Sequence, residues 1–376
     1  MRSLRDEQEI SEQDAVLSQQ LHGSSAKAQG LFAMRKDSKT YRAVLEKYFQ
    51  YFDKDMAEND RTCTEKRRQV EHATMVNRFY DLVTDFYEYG WCKSLHFCRF
   101  AYKEPFLQAI TRHEQYLAYQ IGIKEGMTVL DVGCGLGGPA REIASSTNAT
   151  IIGVNNSDYQ IQKAIHYTEQ AGLSHNVTFT KDNFTKIEIP DNFFDAAYSI
   201  EACVHAPTLE IVYSEIFRVL KPGGVFGVYE WLLTDTFDED NHVHRSIALG
   251  IQQGNGIPKL FTVSEGLLAM KNAGFELLKH EDLATRPAIS PWYHPLSMSV
   301  KDVRSLSDLI TYGPMSKLGR IVTHYMTRAL EGAGILPKGT QMVADRLDST
   351  ADCLVAGGQK EIFTPMYFIL AKKPEV

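Results

Sequence analysis

VLDVGCGLGG, residues 129–138, runs an apolar stretch straight into four glycines within six positions. Gly133, Gly135 and Gly137 let a chain turn tightly after a strand and bring its backbone close to a ligand. Dinucleotide enzymes carry a similar triplet, so the triplet alone does not choose a ligand. Two neighbours narrow it. Asp131 stands at the strand end, where an acid attracts a cationic group. At the end of the next apolar run, ATIIGVNNSD, Asn155 and Asn156 occupy the place where a dinucleotide enzyme has Asp or Glu.

Working outward, strand-like and helix-like segments alternate. MTVLDVG, ATIIGVN, NVTFTKDNF, FDAAYSIEACVHA and GVFGVYEWLL read as strands; PAREIASS, YQIQKAIHYTEQAG and LEIVYSEIFRVLKPGG read as helices. This alternation predicts an α/β fold, Rossmann-like, with a mostly parallel sheet, helices on both faces and ligands at the carboxyl ends of the strands. Upstream, residues 1–30 read as a loosely ordered polar arm. Tyr41 to about Phe86 is helical, with Val76, Phe79, Tyr80 and Val83 on one buried face. Past Thr234, FTVSEGLLAMKNAGFELLKHEDL reads as a helix and strand, 300–350 as helical, and IFTPMYFILAKK as a final strand. The expected division is 1–80 (arm and brace), 81–235 (core) and 236–376 (an added α+β cap).

Composition excludes several classes. A formal net charge of −7 is not that of a nucleic-acid binder. The six cysteines lie at 63, 92, 98, 134, 203 and 353, without CxxC or metal-ligand spacing, which fits free thiols in a reducing compartment and no metal. His242 and His244 form an H-x-H pair with no third ligand at recognised spacing. The N-terminus has no apolar signal region, and no apolar run reaches the ~20 residues of a membrane span, so an intracellular protein is expected.

The order of D-x-G-x-G-x-G-G, KDNF, SIEACVHAP and RVLKPGG resembles the class I S-adenosylmethionine-dependent methyltransferases. Further segments are more specific: YEYGWCKSLHF (87–97), TRHEQYLAYQIGI (111–123), VYEWLLTDTFDED (228–240), GNGIPKLF (254–261) and LVAGGQKEIFTPM (354–366). Together they resemble the sterol 24-C-methyltransferases of the fungal, ergosterol-pathway type, from about His22 to the C-terminus.

The resemblance implies S-adenosylmethionine as cofactor and methyl transfer to carbon 24 of a sterol side-chain double bond. Asp131, Gly133, Gly135 and Gly137 would face the methionine end, Asn155 the ribose, and Asp182 or Asn183 the adenine. Such a site must bury an apolar chain, stabilise a carbocation and supply a base. Ring faces suit the first two tasks, each attracting a desolvated cation by on the order of 2 kcal/mol. Tyr87, Tyr89, Trp91, Phe97, Tyr229 and Trp231 are the expected wall; Glu201, His205, His96 and Glu88 are candidate bases. The insoluble acceptor implies a visit to a membrane or lipid-droplet surface, at the endoplasmic reticulum or droplets, with the N-terminal helices as a possible attachment and a homo-oligomer as a possible assembly.

Some positions depart from the family pattern: Cys92, Cys98, Asn183, Gln252 and Asn255 replace glycine, serine and acids, and TYGPMSKLGR (311–320), whose one arginine is Arg320, lacks the further arginine common in that region. The changes point to the acceptor pocket and the adenine site, and to a divergent paralogue with altered acceptor preference or rate. The alternatives are a methyltransferase for another triterpenoid or lipophilic acceptor, and a non-catalytic sterol- or cofactor-binding protein.

Overall fold

The computed structural model describes residues 4–23, 27–28, 30, 33–52, 61–101, 104–288, 290–298 and 313–375. Its centre is one sheet in the order β3-β2-β1-β4-β5-β8-β7. Strands β1 (Thr128–Val132), β2 (Thr150–Asn155), β3 (Val177–Lys181), β4 (Phe194–Ile200) and β5 (Leu220–Leu233) are parallel. A two-residue strand, β6 (Phe261–Thr262), pairs with the end of β5. The sheet is completed by β7 (Glu276–Asp282) and β8 (Phe363–Lys372), with β8 antiparallel to both β5 and β7. The region beyond 235 therefore finishes the sheet as well as capping it.

The central parallel strands β1, β4 and β5 are buried on both faces over most of their length and read as near-continuous apolar runs, whereas the edge strand β3 is largely exposed. One face packs Leu130, Phe194, Phe226 and Ile369 against Tyr213 and Ile216 of the following helix; the other packs Val129, Ala196 and Tyr198 with Leu117 and Ile143. The reading of LEIVYSEIFRVLKPGG as one helix is too long. The helix is Leu209–Val219, and the chain is already extended from Leu220.

The polar N-terminus is not a loose arm over its described length. Residues Leu4–His22 form α1, and residues Ser38–Phe49 (α2), Arg61–Val70 (α3) and His72–Gly90 (α4) make up the brace. Polar side chains dock α1: Arg78 pairs with Asp14 at 2.9 Å, and Ser18 and His22 both reach the Asp81 carboxylate, at 2.8 and 3.0 Å. Apolar periodicity is blind to docking of this kind. The boundary expected between 80 and 81 falls inside α4, which runs unbroken to Gly90. Of the expected helical region 300–350, residues 300–312 lie outside the described residues; helices Lys317–Gly332 and Thr340–Gln359 account for most of the rest.

Candidate active site

Two cavities open at the carboxyl ends of the strands, and five residues line both: Tyr80, Leu95, His96, Glu201 and His205.

The smaller cavity is the cleft over the glycine loop. Asp131, Gly133, Gly135, Asn155 and Asn183 line it, with Cys134, Leu136, Ser157 and Gln160. Gly133 has φ +76, and a Cβ there would lie 2.3 Å from the Ala202 Cβ; Gly135 has φ +51 and faces open space. The first glycine is required by the fold, whereas the second leaves room for a ligand. Gly137 does not face the cleft: the Phe179 ring fills the place of its missing side chain, 2.4 Å from a built Cβ. Asp131 is buried with its Oδ2 unpartnered among the described residues, and burial raises its carboxyl to about 7. A positively charged ligand group would restore its charge. Asn155 donates to Gln160 Oε1 at 2.7 Å, fixing both amides on the cleft wall. Asp182 is turned away from the cleft, its two oxygens accepting the amides of Asn183 and Glu188 at 2.7 and 2.8 Å. Of the two acid-site candidates, only Asn183 lines the cleft.

The larger cavity holds about 1220 Å³, counted to its solvent-open mouth. Tyr87, Tyr89, Trp91 and Phe97 line it together with Trp231, all five from the expected wall. Phe97 is the hub: its ring lies edge-on to Trp91 at 4.9 Å and to Trp292 at 5.0 Å, and 5.9 Å from Trp231. Behind Trp231, Phe363 packs at 5.3 Å, so the FTPM motif backs the wall. Tyr229 is a correction. It is fully buried, stacks on His113 at 4.0 Å and donates its hydroxyl to the His113 carbonyl at 3.1 Å. Helix α5 (Phe106–Ile121) covers it, and it reaches neither cavity.

Glu201 follows β4 with φ +57, a left-handed conformation that is costly for a side-chain-bearing residue and concentrates at functional sites. Its Oε1 accepts the Phe97 amide at 2.8 Å and its Oε2 accepts the Trp231 indole N–H at 2.7 Å. Burial, only partly offset by these donors and the nearby His96, pushes the carboxyl up to about 8.

His205 Nδ1 lies 3.2 Å from the Gly256 carbonyl and must donate to it, so Nε2 accepts the Tyr80 hydroxyl at 2.9 Å. Burial lowers its pKa to about 4 and keeps the ring neutral. The Gly256 carbonyl is placed by the left-handed C-cap of the helix His242–Asn255, where a Cβ would meet the Phe79 ring at 2.7 Å. This explains the final glycine of GNG.

His96 is different. Both its nitrogens face acceptors, the Phe97 carbonyl at 2.8 Å and Glu114 Oε1 at 3.0 Å. Burial works to lower its pKa, but the Glu114 bond and the charges of Glu114 and Glu201 outweigh it, and the net shift is upward. With an acceptor at each nitrogen, neither ring nitrogen is directed at the cavity contents, so His96 is better suited to orienting the site. Glu88 is excluded by geometry, being paired with Lys163 at 2.6 Å and bonded to Tyr167 on the far side of α4.

The departures are mostly displaced from the chemistry. The Cys92 thiol donates to the Ser94 carbonyl at 3.0 Å, Cys98 is buried in the core, and Gln252 accepts the Leu260 amide at 3.2 Å; none of the three lines either of these two cavities. Asn255 does, and its Oδ1 accepts the Tyr87 hydroxyl at 3.2 Å. Residues 311 and 312 of TYGPMSKLGR lie outside the described residues, while Pro314, Met315 and Arg320 line the larger cavity. His242 and His244 open the helix His242–Asn255, with His244 Nδ1 accepting the Asp238 amide at 3.1 Å. Sequence reasoning assigned Tyr80 to the core and overlooked Gln160 and Glu114. Helical spacing marks an inward face without saying whether that face meets protein or a cavity.

A family model described as "Sterol methyltransferase C-terminal" matches residues 310–375, and one described as "Methyltransferase domain" matches 123–261. Over 371 residues, 98% of each chain, this protein is 55% identical to a sterol 24-C-methyltransferase of Aspergillus fumigatus. It is 50% identical to that of Yarrowia lipolytica over 358 residues, 94% of each chain. Among solved structures, the fold is similar to the 4+2 cyclase SpnF (TM-score 0.58, 21% identity, 80% of this chain and 95% of that one). It is likewise similar to the cyclopropane synthase MmaA2 of Mycobacterium tuberculosis (TM-score 0.58, 14% identity, 74% and 89%). With identity above one half across nearly its full length, and with the methyltransferase fold beneath it, the chain belongs to the sterol 24-C-methyltransferase family.

Proposed function

We propose that this chain transfers the methyl group of S-adenosylmethionine to carbon 24 of a sterol side-chain double bond. The observation that carries the reading is the junction of an aromatic cavity with a glycine-loop cleft at Glu201, His205 and His96. Bound in the cleft, S-adenosylmethionine would supply an electrophilic methyl group, its sulfur keeping the electron pair of the broken bond and leaving as the neutral thioether S-adenosylhomocysteine. Asp131, Asn155, Gln160 and Asn183 would hold it, and the open space at Gly135 admits it.

The acceptor's double bond takes up the methyl at carbon 24, leaving positive charge on carbon 25. Trp91, Phe97 and Trp231 exclude water and present ring faces, which attract a cation and have no lone pair to trap it. A hydride shift from carbon 24 to carbon 25 follows, and a proton leaves the new methyl group to give a methylene. Glu201 is the stronger of the two candidate acceptors for that proton, at about 8 against about 4 for His205. Donors on both its oxygens hold it in place and reduce its tendency to attack the cation as a nucleophile. The Tyr80–His205 pair orients the neighbouring wall.

Delivery of the acceptor fits one surface. On the helix Lys317–Gly332, Leu318, Ile321, Val322 and Tyr325 are each 47–63% exposed, at the spacing of a single stripe. Exposed Lys317 and Arg328 flank that stripe, and Arg320 and Thr323 of the same helix line the cavity. Among the described residues no helix is long and apolar enough to cross a membrane. This stripe would dock on an anionic phospholipid surface, burying apolar side chains beside the cavity mouth.

Purified protein with labelled S-adenosylmethionine, offered zymosterol and lanosterol, tests the reaction: a labelled 24-methylene product is expected, and no transfer to either sterol rejects it. Sedimentation with phosphatidylserine vesicles tests the surface. The double variant Ile321→Glu, Tyr325→Glu should lose binding, and retention of full binding rejects the assignment.

A further inference from the structure

Arg320 lines the larger cavity but not the part that it shares with the cofactor cleft. Its Nη1 donates to the Asp348 carbonyl and carboxylate at 2.7 and 2.6 Å, and its Nη2 to Asp352 at 2.9 Å and the Leu296 carbonyl at 3.4 Å. These bonds tie the helix Lys317–Gly332 to the helix Thr340–Gln359. The side chain is only 10% exposed, and its Nε–H is buried with no acceptor among the described residues. An orphaned donor on a buried charged group is rare enough to call for a partner. The tie between the helices does not use this N–H. Nearby wall residues such as Met315, Leu347 and Ala351 are apolar, so Arg320, Thr323 and Asp348 form a polar patch in a greasy cavity.

We propose that Arg320 and Asp348 form a hydroxyl-binding subsite for the ring end of the acceptor. The acceptor's hydroxyl oxygen accepts from Arg320 Nε–H, and its proton is donated to the Asp348 carboxylate. This inference rests on the sterol reading above: if the side-chain double bond lies at the Glu201 junction, a rigid ring system places its hydroxyl away from that junction. An alcohol, which both donates and accepts, satisfies the patch. An alkane or an ester does not.

Equilibrium binding, read by quenching of tryptophan fluorescence, tests the subsite with a 3-hydroxy sterol and its 3-deoxy analogue. The parent protein should bind the hydroxy sterol about tenfold more tightly or better. Arg320→Met and Arg320→Lys should bring the two affinities to within about twofold. The lysine variant keeps a charge for Asp348 and Asp352, and an unchanged melting temperature verifies its fold. Equal affinities in the parent, or a full preference retained by both variants, overturns the subsite. Methyl transfer is measured in parallel. Hydroxyl-dependent binding that Arg320→Lys abolishes, without any methyl transfer, supports the subsite and overturns the assigned reaction.

Discussion

Glu201 Oε2 lies 2.7 Å from the indole nitrogen of Trp231, so the candidate base is bonded directly to the aromatic wall. One contact thereby sets both the direction of the carboxyl and the tilt of a ring facing the cavity. With the Phe97 amide on Oε1, the acid also spans two segments more than 100 residues apart in sequence.

The first prediction concerns pH. Glu201 titrates at about 8 in the fold and at about 4.3 in an unfolded chain. As a base it must be ionised, so kcat/KM should climb with pH to a limb near 8, and Glu201→Gln should remove the limb and lower the rate on the order of 10²–10⁴-fold. Stability runs the other way. The raised folded pKa contributes stability that is complete below about pH 4 and is lost as pH rises through 8. Glu230, also buried and raised to about 8, adds in the same direction. Urea midpoints between pH 5 and 9 should fall for the parent and fall less for Glu230→Gln.

Tyr80→Phe separates packing from function. The ring fits the same space, so a core role alone predicts little change. Loss of the hydroxyl leaves the buried His205 Nε2 without its donor, and kcat should fall about tenfold while the melting temperature changes by a few degrees at most. Unchanged kcat would return Tyr80 to the core.

The two cleft glycines should fail differently. Gly133→Ala sets a Cβ against Ala202 and should cost about 3 kcal/mol of stability. Gly135→Ala meets open space, so the protein should fold with only modest backbone strain and lose affinity for S-adenosylhomocysteine. Chemical denaturation and titration calorimetry distinguish the two.

Tyr229→Phe should leave the kinetics unaltered and cost about 1 kcal/mol, the value of the bond to the His113 carbonyl. A change in KM for the sterol would put Tyr229 back in the wall.

Much of the molecule is local and therefore legible in the residues. Alternating strand and helix patterns dictate the parallel core, and the glycine loop with Asn155 distinguishes its ligand, because both depend on backbone demands within a few residues. The aromatic run 87–97 could by itself be core, and only its resemblance to a family segment marks it as a wall. What lies outside sequence is which groups meet across the chain. Tyr229 and Trp231 are two places apart on one strand with side chains on the same face, yet α5 roofs the first and leaves the second at the cavity. Tyr80 shares its helical spacing with Val76 and Phe79, and only the arrival of His205 from the end of β4 turns it into a donor. Residue type and spacing determine what each segment can form. Tertiary packing decides which side chains lose water together, and that shared burial sets the pKa values and hydrogen bonds on which the chemistry depends.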